Sequence, residues 1–241
     1  FYILKWDFSC VDPSGNPSQI RNSIHDHINE RIKGFVLYYK NYGLPEIEIN
    51  NNNALSSIQS LSNAVRVMDI PVYLLIDEYD NFANEVMVEV YNEQSSMEQT
   101  KYKYLVQKEG ALKSIFKAVK SSASESIFSR IFITGVSPVV MSDITSGYNI
   151  AENIYLKPQY NDLCGFTHDE MDNAIKDILI AKNPHSSSEE MSETELEQFR
   201  KTKELAKLYY NGYLFSPDAE NQIYNPTLGL FFLKSFQESC R

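Results

Sequence analysis

Val72-Tyr73-Leu74-Leu75-Ile76-Asp77-Glu78-Tyr79-Asp80 is the stretch on which the fold turns. Pro71 precedes it, and a run of apolar and aromatic side chains passes directly into two adjacent carboxylates. An apolar run of this length, bounded by a proline and by acids, predicts a β-strand buried on both faces. Strands of that kind belong to parallel sheets, and open α/β sheets carry their chemistry at the carboxyl ends of their strands. Asp77 and Glu78 occupy such an end. Two neighbouring carboxylates there cost stability unless a cation or a reaction uses them.

Upstream, Phe1-Tyr2-Ile3-Leu4-Lys5-Trp6-Asp7-Phe8 predicts another strand, and the segment from Asp12 to Pro17 is a turn-rich loop. Ile20, Ile24, Ile28 and Ile32 are spaced as one apolar stripe of a helix. Residues 38–53 are less regular and end in the polar loop from Asn50 to Asn53. Leu55, Ile58, Leu61 and Val65 mark a second helix leading into the Asp77 strand. Strand, helices, strand is the order of an α/β crossover.

Downstream, residues 84–108 are rich in Glu, Gln and Lys and predict a solvated helix or loop insertion. Leu112, Ile115, Phe116 and Val119 form an amphipathic pattern, and residues 127–134 predict a second buried strand ending in Thr134-Gly135-Val136-Ser137. Asn153-Ile154-Tyr155-Leu156 predicts a short further strand. From Gly165 the character is helical. Thr167-His168-Asp169-Glu170 and Ser192-Glu193-Thr194-Glu195 are capping boxes, and Asn225-Pro226 places a cap and an N1 proline before a last helix. The division expected is an α/β core over residues 1–165 and a helical lid over residues 166–241.

The 241 residues are 43% hydrophobic, enough for a full core, and the 32 acidic against 22 basic residues give a net charge of -10. That balance argues against general binding to nucleic acid or to anionic membranes. Cys10, Cys164 and Cys240 show neither a disulfide framework nor zinc spacing, which predicts a reducing, intracellular and cytoplasmic setting. No apolar run approaches the ~20 residues of a bilayer span. His25, His27, His168 and His185 are expected on a polar helix face, at a cap and in a loop, with no partner at metal-ligand spacing. The chain opens on Phe1, inside a predicted strand. The expectation is a fragment of a longer protein.

The Asp77–Glu78 strand end has the pattern of a Walker B strand, in which one acid holds Mg²⁺, usually through water, and the next polarises the attacking water. Residues 73–81 are one of four strings that occur in order. The others are Ile131-Phe132-Ile133-Thr134-Gly135-Val136-Ser137, Tyr160-Asn161-Asp162-Leu163-Cys164-Gly165-Phe166-Thr167, and Tyr209-Tyr210-Asn211-Gly212-Tyr213 with Tyr224-Asn225-Pro226 after it. Together they resemble the AAA-ATPase-like family of P-loop nucleotide triphosphatase domains. The resemblance implies a parallel sheet flanked by helices, with ATP and Mg²⁺ as ligands. It makes Asp77 the metal-holding aspartate and Glu78 the catalytic glutamate. Thr134 would be the sensor hydroxyl toward the γ-phosphate, with Ser137 as a second candidate.

The chain departs from that family's pattern in three places. No G-x-x-x-x-G-K-S/T occurs among its residues, so the phosphate cradle of backbone N–H groups and a lysine is not supplied by them. The expectation is that the P-loop strand lies upstream of Phe1 and that the strand ending at Thr134 lacks a neighbour on one side. Pro138 and Leu214 stand where the resemblance leads one to expect arginines. The alternative is a catalytically weak relative used as a protein-interaction or regulatory module, by self-association or with a protein partner. A metal nuclease using Asp77, Glu78 and Asp80 is the competing enzymatic reading. Those acids alternate in direction and no lysine sits in the usual partner position of the sequence, which argues against it. Asp80-Asn81 is expected to cap a following helix. Asp7, at a strand end, is a surface acid or a neighbour of the site.

Overall fold

The structure, a computed structural model, describes residues 1–12, 14–68, 70–81, 110–136, 151–182 and 191–239. It contains two compact units, Phe1–Ala151 and Glu152–Arg241.

The first unit is built on a parallel sheet of β1 (Tyr2–Asp7), β2 (Val72–Asp77) and β3 (Phe128–Ile133), in the order β1-β2-β3. Leu4 faces Leu74, which faces Ile131; Trp6 faces Ile76, which faces Ile133. Three helices flank the sheet: α1 (Pro17–Tyr39), α2 (Ala54–Met68) and α3 (Ala111–Ser124).

Each helix forms where its residues dictate. Asn16 caps α1 by accepting from Ser18 N at 3.0 Å and Gln19 N at 3.1 Å, while Gln19 Oε1 takes Asn16 N at 2.8 Å. Pro17 supplies the preset first φ. The stripe Ile20, Ile24, Ile28 and Ile32 is fully buried, as its spacing predicts. At the start of α2, Leu55 N donates to Asn53 Oδ1 at 3.1 Å and Ala54 N to His25 Nδ1 at 2.9 Å. His25 is therefore not on a polar face as expected. It is 5% exposed and serves as an acceptor for an orphan helix N–H. Asn29 Nδ2 holds the same loop through Asn50 O at 2.8 Å.

The expectation that β2 is buried on both faces is corrected. Val72, Leu74 and Ile76 are buried and alternate with half-buried Tyr73, Leu75 and Asp77. The reason is layering: α1, α2 and α3 join one core with Leu4, Trp6, Leu74 and Ile76, so among the described residues the helices cover one face. The other face carries Ile3, Lys5 and Asp7 of β1 beside Tyr73, Leu75 and Asp77 of β2. Among the described residues β3 pairs with β2 alone, and Phe132 on this edge strand is 46% exposed. The expected insertion at residues 84–108 lies outside the described residues.

The second unit comprises α4 (His168–Lys182), α5 (Glu193–Tyr210), a hairpin of β4 (Asn211–Tyr213) with β5 (Ile223–Tyr224), and α6 (Pro226–Ser239). Both capping boxes form. Glu170 N donates to Thr167 Oγ1 at 3.2 Å, and Glu195 N to Ser192 Oγ at 3.4 Å. Asn225 Oδ1 accepts from Leu228 N at 3.1 Å to start α6. Met171, Ile175, Leu179, Ala206 and Tyr224 form the core. The hairpin had no strand-like pattern in the sequence; α5 ends at Asn211 in extended backbone, and Gly212, with φ +116°, sits at the register shift within β4.

The strand expected at residues 153–156 does not form. Asn153 Oδ1 accepts from Tyr155 N at 3.3 Å and Ile154 O from Lys157 N at 3.1 Å, so local side-chain and turn bonds take the backbone groups a ladder would need. Residues 152–165 group with the second unit. Within it, Asn161 Nδ2 donates to Asn221 O at 3.0 Å and Asn161 Oδ1 accepts from Phe215 N at 2.9 Å.

Candidate functional site

The carboxyl ends of β2 and β3 are joined by an unusual set of backbone bonds. Thr134 N donates to Ile76 O at 2.8 Å and extends the ladder past the end of β3. Thr134 O then accepts from Tyr79 N at 3.3 Å. Between those two bonds lies Glu78, with φ +53°. A left-handed conformation at a non-glycine residue persists only where its surroundings fix it, and such residues gather at functional sites.

Two buried side chains and a close-packed glycine surround it here. Tyr79 is buried and stands edge-on to Phe116 at 6.3 Å between ring centres. Asp80 is fully buried and its Oδ1 accepts from Val136 N at 3.1 Å. Gly135 lies so close that an added Cβ would run into the Tyr79 ring and Asp80 Oδ1. The Asp80 carboxylate ties the end of β2 to the turn after β3. The helix it was expected to cap lies outside the described residues.

Asp77 and Thr134 meet on this frame. Thr134 Oγ1 donates to Asp77 Oδ1. Lys5 Nζ lies 3.1 Å from Asp77 Oδ2. The hydroxyl of Thr134, then the Lys5 ammonium, hold the Asp77 carboxyl below the usual carboxylate range, against a small opposing effect of burial. Glu78 is half-exposed beside them. The structure therefore brings together three of the four site residues expected from the sequence, and Ser137 lies outside the described residues.

Two residues join them: Asp7, expected from the sequence as either a surface acid or a neighbour of the site, and Lys5, which the sequence did not place. Asp7 is the register partner of Asp77 across β1 and β2. Its Oδ1 accepts from Ser9 Oγ at 2.6 Å and Ser9 N at 3.2 Å, and this hydroxyl is the main reason its carboxyl is also held low. Lys5 Nζ lies 3.9 Å from Asp7 Oδ2. The alternation Lys5, Asp7 on one strand puts both on one face, but only the β1–β2 register sets them against Asp77.

The donor set suits a hard cation. An ammonium already stands between two carboxylate oxygens, Asp7 Oδ2 and Asp77 Oδ2. Among the described residues no group of three or more His, Cys, Asp or Glu could hold a metal ion. That limit is compatible with Mg²⁺, which keeps several waters and takes one or two carboxylates together with substrate phosphates. No phosphate cradle of the G-x-x-x-x-G-K-S/T kind is present in these residues.

A family model described as a predicted AAA-ATPase, AAA-ATPase-like, matches residues 1–145. The match spans β1, β2 and β3 and all of the cluster just described. No curated protein and no solved structure matches the chain. No helix among the described residues is long and apolar enough to cross a membrane.

Proposed function

The chain belongs to the AAA-ATPase-like family, and from that premise we propose that Asp77, Glu78 and Thr134 form the metal-and-water half of an ATP-hydrolysing site. One observation carries this reading. The Asp77–Glu78 pair leaves the carboxyl end of the middle strand while the neighbouring strand end delivers the Thr134 hydroxyl onto Asp77.

Asp77 is the metal-holding carboxylate. Its Oδ1 is fixed by Thr134, so Oδ2 is the oxygen that faces a cation or a cation-bound water. Mg²⁺, when bound, neutralises charge on the transferring phosphoryl group. Glu78 is the group that orients and deprotonates the attacking water, and its left-handed backbone turns it out of the line of β2. Thr134 is the hydroxyl that reports on the γ-phosphate, exchanging its bond to Asp77 for one to a phosphate oxygen or to the water. Ser137 is a second hydroxyl candidate for that role.

The test is ATP·Mg²⁺ binding and turnover by the whole gene product that carries this chain, beside Glu78→Gln. Binding retained with turnover reduced by about 100-fold or more supports the ATPase and the role of Glu78. A folded wild type that binds no nucleotide overturns it.

A second reading has an observation of its own: the absence of G-x-x-x-x-G-K-S/T from these 241 residues. It makes the domain a protein-interaction or regulatory module that keeps the ATPase fold without the chemistry, through self-association or a protein partner. Nucleotide-independent function of the Glu78→Gln protein is the outcome that supports it.

A further inference from the structure

Lys5 stands where a bound metal ion would be expected. Asp7 and Asp77 face each other in register at the ends of β1 and β2. Each has one carboxylate oxygen committed to a hydroxyl beyond its strand: Asp7 Oδ1 to Ser9 at 2.6 Å, and Asp77 Oδ1 to Thr134. The remaining oxygen of each points at the same ammonium. Lys5 Nζ is 3.1 Å from Asp77 Oδ2 and 3.9 Å from Asp7 Oδ2.

We propose that Lys5 is a tethered counter-cation that holds the place between Asp7 and Asp77 until a divalent cation displaces it, and that Asp7 joins Asp77 as the second carboxylate of that cation site. The inference rests on the reading of Asp77 as the Mg²⁺ ligand. Two carboxylates side by side repel one another, and an ammonium offsets only one of the two charges. A divalent ion offsets both and approaches oxygen more closely, at about 2.1 Å for Mg²⁺. The Lys5 side chain is 53% exposed and that of Asp77 41%, so solvent screens the pair and little is lost when the ammonium leaves. Its four-carbon stem lets the head swing into water while β1 stays in place. Metal affinity is thereby set below what the two carboxylates would give alone.

The probe is Mn²⁺ alone, titrated into the full chain and followed by the electron paramagnetic resonance of the free ion. Wild type, Lys5→Met, Asp7→Asn, Lys5→Met with Asp7→Asn, and Asp77→Asn are compared, with circular dichroism as the check on folding. Lys5→Met should bind about tenfold more tightly than wild type, the effect of removing one cation from the pair. Asp7→Asn should weaken binding in either background, and Asp77→Asn should lose it. A second readout is independent of affinity. With lysines carrying ¹³C-methyl groups, Mg²⁺ should shift the Lys5 resonance, assigned by its absence in Lys5→Met, and leave the other lysines in place.

Equal affinity in wild type and Lys5→Met, with binding still lost in Asp77→Asn, overturns the role of Lys5 and leaves Asp77 as the metal ligand. Unchanged affinity in both Asp7→Asn proteins overturns the role of Asp7. No Mn²⁺ binding by any folded variant, wild type included, overturns the metal role of Asp77 itself and this inference with it.

Discussion

Thr134 donates its hydroxyl to Asp77 Oδ1 across the carboxyl ends of two adjacent parallel strands. The bond lowers the proton affinity of Asp77, so the folded carboxyl stays ionised to a lower pH than an unfolded one. The stability it adds is present above the unfolded carboxyl value of about 3.9 and is lost as pH falls through the lowered value. Thr134→Ala should move the acid-unfolding midpoint to higher pH, and Thr134→Ser should leave it where it is. Fluorescence-monitored acid titration of the three proteins checks this; coincident Thr134→Ala and wild-type curves would refute it.

Glu78 occupies the left-handed region at φ +53°. That costs an L-residue roughly 1–2 kcal/mol. Glycine removes the cost but loosens the unfolded chain, which returns about 0.4–1 kcal/mol of it. Glu78→Gly should therefore stabilise the domain by about 0.5–1 kcal/mol while removing the carboxylate proposed for water activation. The urea midpoint should rise at constant m-value. A fall in the midpoint would mean that the Glu78 side chain contributes more than its backbone costs.

Gly135 packs against the Tyr79 ring and Asp80 Oδ1 with no space for a Cβ. Gly135→Ala should cost about 1–3 kcal/mol, the range for forcing an extra group into a packed site. Thermal unfolding measures the loss. Because the same contact locks Thr134 beside Asp77, the variant should also bind Mn²⁺ less tightly, whereas Gly34→Ala, in open space within α1, should leave Mn²⁺ binding unchanged and raise stability by about 0.5–1 kcal/mol, the usual gain of alanine over glycine in a helix interior.

His25 accepts from Ala54 N and is nearly fully buried, so it is needed in its neutral form. Burial lowers its proton affinity first, the nearby Arg21 charge second, and Asp26 opposes them. A depressed value means the unfolded chain takes up protons first. The stability contributed is complete above about pH 6.5 and declines as pH falls toward the lowered value. His27 shifts in the same direction, through burial and then Arg31. Urea unfolding between pH 5 and 7.5 should show stability falling with acidification, and His25→Gln should flatten that slope. An unchanged slope in His25→Gln would assign the dependence elsewhere.

Much of this was legible without coordinates because it depends on neighbours in sequence. The isoleucine stripe of α1, the Thr167, Ser192 and Asn225 caps, and the passage of β2 into Asp77-Glu78 all follow from residues within four positions of one another. Asn153–Leu156 misled for the same reason. Its apolar residues suggest a strand, but the Asn153 side chain competes locally for the backbone. His25 misled because its partner, Ala54 N, is 29 residues away.

The sequence by itself determined the parallel α/β core, the order of its strands and the identity of the paired acids. Periodicity, caps and the apolar run into Asp77 are local properties that burial and backbone sterics turn into structure. Only the tertiary structure decided what those acids touch. The β1–β2 register set Asp7 and Lys5 against Asp77, and the β2–β3 pairing brought Thr134 to it across 57 residues of chain. Which helices cover which face, and hence that β2 is fully buried on one side alone, was likewise fixed by packing. Register and layering are set by the summed burial of many distant side chains, so no short stretch of sequence carries them.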